Sequence, residues 1–345
     1  MKLTNVAVIG CGYWGINYIR VFSELQRAKV VVASDASADR MGVVRERFPL
    51  ISTTSNWQEI LENRWVDAVV IATPAASHFE IAHKLLCAGK HLLVEKPLTT
   101  TVEHGEKLIQ AAEEYSRILM VGHTFLFNPG IHKVKELMTS PDFGKVYYLH
   151  ATRTNMGPIR PDVNALWDLA AHDVAIFNEL LNGQPITVSA IGSKVLGSDR
   201  EDVVFATLTY PGATIANFHV SWVDPNKVRE IVVVGSQRRI VFDDLKNLER
   251  VRIFEKGVSP EMEADSFGEY RLLMRDGDIV SPRVDTSEPL KNQSSHFLDC
   301  IQSGKPPNTD GRNGVDVVRV LCALNKSMEL QGVPIAVEHA KPARC

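Results

Sequence analysis

The first third of the chain alternates short apolar runs with stretches of helical period. Asn5–Gly10 is a buried strand, followed by a glycine-rich turn and a helix to about Gln26. Lys29–Ser34 is a β-branched strand, and Val66–Thr73 is another apolar run leading to a helix over Ser77–Ala88 that stops at Gly89. His91–Glu95, a helix over Val102–Tyr115 and the strand Ile118–Gly122 follow. Short strands alternating with helices of about 10–15 residues are the mark of βαβ units and a parallel sheet. The right-handed crossover preference makes that sheet doubly wound.

After about Thr124 the pattern changes. A helix spans Gly130–Met138, a strand Lys145–Thr154 and a helix Trp167–Leu181. Strands then follow one another: Thr187–Leu196, Val203–Tyr210, Thr214–Val223, Arg229–Gly235, Arg239–Phe242 and Arg250–Phe254. Turn residues such as Pro211-Gly212-Ala213 and Asp224-Pro225-Asn226 separate them, which predicts a mainly antiparallel sheet. Helices over Leu290–Ser303 and Gly314–Gln331 close the chain. The expected fold is α/β: an N-terminal Rossmann domain with a doubly wound parallel sheet, residues 1–123, and a C-terminal α/β domain with an open, mainly antiparallel sheet, residues 124–345. A cleft is expected at the carboxyl ends of the parallel strands.

Composition narrows the function. At 345 residues two domains are the natural division, and a net charge of −3 carries no footprint for nucleic acid or an anionic membrane. No apolar run approaches the ~20 residues that span a bilayer, and no signal peptide is evident. The five cysteines, Cys11, Cys87, Cys300, Cys322 and Cys345, are odd in number and scattered, as reduced thiols of a cytoplasmic protein would be. No His, Cys and Asp residues share metal-ligand spacing on one element, so no metal is expected.

Gly10-Cys11-Gly12-Tyr13-Trp14-Gly15 is a G-x-G-x-x-G turn between a strand and a helix. Gly10 permits the tight turn, Gly12 lets backbone approach a pyrophosphate, and Gly15 lets helix and strand pack closely. The helix N-terminus then offers free N–H groups to phosphate. Asp35 ends the second strand, where an acid would hold a ribose. Together they predict dinucleotide binding, with NAD expected over NADP and NADP the alternative because Ser34 and Arg40 stand close to Asp35. Trp14 is a candidate cover for the cofactor.

Ala72-Thr73-Pro74, His78, Glu95-Lys96-Pro97 and the pair Asp168 and His172, taken in this order, resemble the glucose–fructose oxidoreductase/inositol dehydrogenase (Gfo/Idh/MocA) family over nearly the whole chain. The resemblance implies hydride transfer at a secondary alcohol of a polyol or sugar, and a cis peptide at Lys96–Pro97. It implies cofactor contacts from Gly10, Gly12, Tyr13, Trp14, Gly15, Asp35, Arg40, Thr73, Pro74, His78, Glu95 and Lys96, with Lys96 and His172 at the reacting carbon and Asp168 beside them. Asp162-Val163-Asn164-Ala165-Leu166-Trp167 replaces the usual glycine-rich stretch, and with Arg153, Asn155 and Met156-Gly157-Pro158-Ile159-Arg160 it is similar to the nucleotide-sugar subgroup. That subgroup includes dehydrogenases acting at C3 of UDP-N-acetylglucosamine or its uronic acid.

These residue types suit the chemistry. Oxidising an alcohol needs a base for the hydroxyl proton, a charge for the developing alkoxide and a held hydride acceptor. His172 can take the proton and Lys96 can bond the oxygen. Asp168, four residues before His172, shares its helix face and either orients the imidazole or bonds the substrate. Arg153, Asn155, Arg160 and Asn164 are candidate substrate contacts, the arginines as forks for a pyrophosphate. Asp173 is read as structural, and His123, His150, His219 and His296 as packing or surface residues. The partners expected are a sugar or nucleotide-sugar substrate and a second copy of the chain, as homodimer or homotetramer through the second domain. A free-sugar or inositol dehydrogenase, a ketosugar reductase and a non-catalytic cofactor-sensing regulator are the competing functions.

Overall fold

Six parallel strands line up in the order β3-β2-β1-β4-β5-β6 in a computed structural model. The strands are β1 (Thr4–Ile9), β2 (Ala28–Ser34), β3 (Ser52–Thr54), β4 (Ala68–Ile71), β5 (His91–Glu95) and β6 (Leu119–Gly122). Between them run α1 (Tyr13–Glu24), α2 (Ala38–Arg47), α3 (Glu59–Glu62), α4 (His78–Cys87) and α5 (Val102–Glu114). Residues of β4 and β5 such as Val69, Ile71, Leu92 and Val94 are fully buried, as strands covered on both faces must be. The doubly wound sheet expected from the sequence is therefore present. The elements α2, β3 and α3 are additions to the sequence reading. Only Met41 and Val44 of α2 are buried, too narrow a stripe for the apolar pattern to reveal. The structure describes residues 3–157, 159–160, 162–260, 272–275 and 277–338; Pro158 and the tail Lys341–Cys345 lie outside them.

The later chain contributes α6 (Pro129–Thr139), β7 (Val146–Thr154), a π-helical turn over Leu166–Ala170 and α7 (Ala171–Leu180). It continues with β8 (Thr187–Ser193), β9 (Val203–Thr209), β10 (Ile215–Ser221), β11 (Val228–Gly235), β12 (Arg239–Asp243) and β13 (Val251–Phe254). A hairpin of β14 (Gly257–Pro260) and β15 (Leu272–Arg275), then β16 (Ile279–Val280), α8 (Pro289–Ser303), α9 (Gly311–Glu329) and β17 (Ile335–Ala336) complete it. Nine strands form one sheet in the order β16-β13-β12-β11-β7-β10-β9-β8-β17. Its neighbours are antiparallel except β7 and β10, which run parallel. The mainly antiparallel expectation is met, with that one parallel pair at its centre.

The chain divides into two units, residues 1–127 with 287–319 and residues 128–286 with 320–345. The sequence division at 123/124 differs from this in residues 124–127 and 287–319, which go with the first unit. The physical reason is packing. Phe297 of α8 meets Phe22 of α1 edge to face at 6.5 Å, and Gln293 donates to the buried hydroxyl of Tyr18 at 2.8 Å. Thr309 Oγ1 donates to Val121 O at 2.8 Å.

In the second unit α6 packs on β12, β13 and α7, while the π-helical turn lies on β10. Nearly all of α7 is buried, and Asp173 at its start would be a stranded charge without its partner. Arg153 of β7 supplies it: Nε lies 3.2 Å from Oδ1 and 3.0 Å from Oδ2, and Nη2 lies 2.7 Å from Oδ1. Arg153 is 5% and Asp173 1% exposed on the side chain. A buried pair is weak evidence of net stability, but removing one partner leaves the other charge uncompensated. Asp173→Ala is therefore expected to cost about 3–5 kcal/mol of unfolding free energy. Urea unfolding measures it, and a loss below about 1 kcal/mol, the size for an exposed pair, would contradict the anchoring role.

Candidate functional site

The phosphate turn is built by close backbone approach. Gly10 has φ +89°, and a Cβ on it would stand 2.6 Å from the carbonyl carbon and oxygen of Ala72. A Cβ on Gly15 would stand 1.8 Å from Gly10 O, so only glycine lets α1 lie this close to the turn. Gly12 differs: the nearest atom to its Cβ position is Arg40 Nη1 at 3.8 Å, so backbone is open above it. No side chain caps α1, which leaves its first N–H groups to a ligand. Tyr13 and Trp14 stand beside the turn as an edge-to-face pair with ring centroids 5.4 Å apart, Tyr13 79% exposed.

Asp35 holds this turn from the end of β2. Its Oδ2 accepts Cys11 N–H at 2.7 Å and Arg40 Nη1 at 3.3 Å, and its Oδ1 accepts Ser37 N–H at 2.8 Å. Oδ1 has one lone pair left for a ribose hydroxyl. Cys11 itself is no nucleophile: burial, then the Asp35 charge, pushes its thiol up to about 12. Gly10, Gly12, Gly15, Asp35 and Arg40 thus come together around the turn.

A second group gathers where β4, β5 and β6 end. His78 is 1% exposed, and its Nδ1 and Nε2 each lie 2.9 Å from a carbonyl oxygen, of Pro97 and of Thr73. It ties the segment Thr73–Pro74 to the loop after β5. Thr73 Oγ1 also accepts Ser77 Oγ–H at 2.8 Å. Glu95 is buried; its Oε1 accepts Tyr18 O–H at 2.6 Å and its Oε2 accepts Lys96 N–H at 3.1 Å. Burial first, then Glu95, raises the Tyr18 phenol well above its ordinary value. Lys96 is also buried, and the Lys96–Pro97 peptide is cis. His123, just past β6, is 1% exposed, and neither ring nitrogen has a hydrogen-bond partner among the described residues. Burial, then the Lys96 charge, pushes it down to about 3, so it is a neutral ring at ordinary pH.

The third group lies in the second unit. Asp168 sits on the π-helical turn and His172 on the first turn of α7, with His172 partly buried. The sequence predicted one continuous helix here. The π turn rotates Asp168 relative to His172 from its α-helical position, and such turns recur at functional sites. Asp168 Oδ1 accepts Arg160 Nη1 at 3.3 Å and Oδ2 accepts Trp222 Nε1–H at 3.2 Å. Arg160 also forks Asp162, with Nε to Oδ1 at 3.0 Å and Nη2 to Oδ2 at 2.7 Å. Asn164 caps the turn by accepting Trp167 N–H at 3.1 Å and donates to Glu201 Oε2 at 2.8 Å. Asn155 donates its backbone N–H to Ser221 O at 3.1 Å. Arg153 stands apart from this group with its fork on Asp173. Tyr18, Gln293, Glu201 and Trp222 belong to these networks and carry no spacing in the sequence that would have singled them out.

Comparison with known proteins follows this geometry. Residues 4–123 match the oxidoreductase family with an NAD-binding Rossmann fold, and residues 131–241 match the GFO/IDH/MocA C-terminal domain. A UDP-N-acetylglucosamine 3-dehydrogenase of Acidithiobacillus ferrooxidans is 27% identical, over 94% of this chain and 97% of its own. A solved structure of that name from the same organism superposes with a TM-score of 0.80 at 25% identity, covering 96% of this chain and 99% of its own. A myo-inositol 2-dehydrogenase of Thermotoga maritima is 24% identical, over 94% of this chain and 96% of its own.

The open backbone at Gly12, the uncapped start of α1 and the free lone pair of Asp35 fit NAD. Asp35 should favour NAD over NADP, because a carboxylate repels a 2′-phosphate. A hydrogen bond to a charged group is worth about 1.5–3 kcal/mol, so Asp35→Ser is expected to weaken NAD binding about tenfold or more and to narrow the gap to NADP. Calorimetric titration of both cofactors decides it: equal affinity of the unaltered protein for the two would show that Asp35 does not hold the ribose.

Proposed function

The chain belongs to the Gfo/Idh/MocA oxidoreductase family, and on that premise we propose that it oxidises a secondary alcohol of a sugar with NAD, at C3 of a nucleotide sugar such as UDP-N-acetylglucosamine or its uronic acid. The observation that carries this reading is the end-to-end likeness to the Acidithiobacillus enzyme, through both domains. The unit of residues 1–127 and 287–319 holds the cofactor, and the unit of residues 128–286 and 320–345 holds the sugar and the second copy of the chain. Inositol is the second reading, favoured by the likeness of similar extent to the Thermotoga enzyme. The reaction runs in the cytoplasm.

Bound NAD supplies the hydride acceptor. Lys96 donates a hydrogen bond to the reacting oxygen and stabilises the charge that grows on it as the hydroxyl proton leaves. His172 accepts that proton. Asp168, held by hydrogen bonds from Arg160 and Trp222, serves as a fixed carboxylate, with His172 as the proton carrier. Tyr13, Trp14, Thr73 and Pro74 line the cofactor, while His78, buried with its ring on the carbonyls of Thr73 and Pro97, holds that segment from behind; Asn155, Arg160 and Asn164 belong to the sugar side.

A thermal-shift screen of UDP-, dTDP- and GDP-sugars and inositols with NAD identifies the substrate, since a ligand that binds the folded state raises apparent stability. Loss of a general acid–base typically costs about 10²–10⁴ in rate. Lys96→Ala and His172→Ala are each expected to fall in that range in single-turnover hydride transfer, with NAD affinity changed little. Wild-type rates in both would move the site elsewhere.

The outer face of the nine-stranded sheet supports assembly. Ile191, Phe205, Ile215 and Tyr148 are exposed there, and the Phe205 and His219 rings stack at 4.2 Å. An apolar face of this kind is covered in a homo-oligomer. Light scattering at micromolar concentration is expected to give a dimer or tetramer, and Phe205→Lys to shift it toward monomer. A monomeric wild-type protein removes the proposal.

A further inference from the structure

Asp168 meets two groups that can only donate. Trp222 Nε1–H reaches Oδ2 at 3.2 Å and Arg160 Nη1 reaches Oδ1 at 3.3 Å. Indole and guanidinium have no acceptor atom, so both carboxylate oxygens accept. Arg160 is held in turn by Asp162. Trp222 is 3% exposed and follows directly on β10. Its backbone N–H donates to Asp202 O at 2.9 Å, and Asp202 N–H donates to Ser193 O at 2.8 Å. The backbone from which the indole projects is therefore pinned to the turn between β8 and β9. The same turn holds the other side of the π-helical segment: Ala165 N–H donates to Glu201 O at 3.0 Å, and Asn164 donates to Glu201 Oε2.

We propose that Trp222 is a positioning residue, whose indole N–H sets the direction of the Asp168 carboxylate and so the efficiency of the hydride-transfer step. The proposal rests on the reading of Asp168 as a catalytic residue. A buried indole N–H needs a partner, and here that partner is a charged oxygen of the reaction site, not a backbone carbonyl. Trp222 acts through orientation alone, because its only polar atom is engaged by Asp168. Phenylalanine keeps a ring in the same space and removes that one donor.

Trp222→Phe is expected to lower kcat about tenfold, the order for one hydrogen bond to a charged group, with KM for NAD and the unfolding midpoint close to wild type. In an Asp168→Ala background the same change is expected to add nothing, since residues acting as a unit are not additive. The assays use NAD with UDP-N-acetylglucosamine, and with myo-inositol. Slow turnover in Asp168→Ala beside wild-type kcat in Trp222→Phe overturns the proposal, as does full additivity in the double variant. Wild-type rates in both Asp168→Ala and Lys96→Ala overturn the catalytic reading itself, and this inference with it. A measurement without substrate tests the contact directly. The indole proton resonance of Trp222, assigned by its loss in Trp222→Phe, is expected to shift and exchange faster in Asp168→Ala. A resonance unmoved by Asp168→Ala overturns the proposal whether or not either sugar is oxidised.

Discussion

A carboxylate withdrawn from water must be met by donors, and this chain meets that constraint at the points where its backbone has to be held. Asp35 gathers Cys11 N–H, Ser37 N–H and Arg40 at the phosphate turn. Glu95 gathers Tyr18 O–H and Lys96 N–H where β5 ends. Asp173 takes the fork of Arg153 under α7, and Asp168 takes Arg160 and Trp222 on the π-helical turn. Each set converts an electrostatic penalty of several kcal/mol into a fixed local geometry. Three of the four lie beside residues proposed to bind or react, and Asp173 holds the helix that carries His172.

The same constraint separates positioning from chemistry. A carboxylate with a donor on each oxygen is held in one orientation, and Asp168 and Glu95 are of this kind. His123 is opposite in kind: a neutral ring whose two nitrogens have no hydrogen-bond partner among the described residues, kept uncharged by burial and by Lys96. His172, proposed as the base, is partly buried on the first turn of α7.

Much of this was legible in the sequence where local rules act. The G-x-G-x-x-G turn, Asp35 and the alternation of strand and helix follow from sterics and period, and Gly10, Gly15, β1, β2, β4, β5 and β6 stand as those rules require. The alternation in β9 and β10 gave the second sheet in the same way: Val204, Ala206, Leu208, Ala216, Phe218 and Val220 face in. What the pattern could not carry was long-range pairing. Nothing near Trp222 announces Asp168, 54 positions away, and nothing in α8 announces that Gln293 reaches Tyr18, 275 positions away. The π turn at Leu166–Ala170 was hidden because its residues fit an α-helical period equally well. Elements with few buried residues, such as α2 and β3, were hidden because amphipathic contrast is the signal and they have little.

The arginines show how a residue type mislocates a role. A guanidinium fork suits pyrophosphate and carboxylate alike, so Arg153 and Arg160 were equal candidates for a substrate anion. Arg153 is engaged on two nitrogens by a carboxylate that is itself buried, and opening that pair would strand Asp173. Its fork is committed to the fold. Arg160 divides its nitrogens between Asp162 and Asp168 and is 28% exposed on the side chain, so it keeps a solvent edge while bonded. Arg160, with its solvent edge, can meet a further anion, as the fork of Arg153, closed on Asp173, cannot.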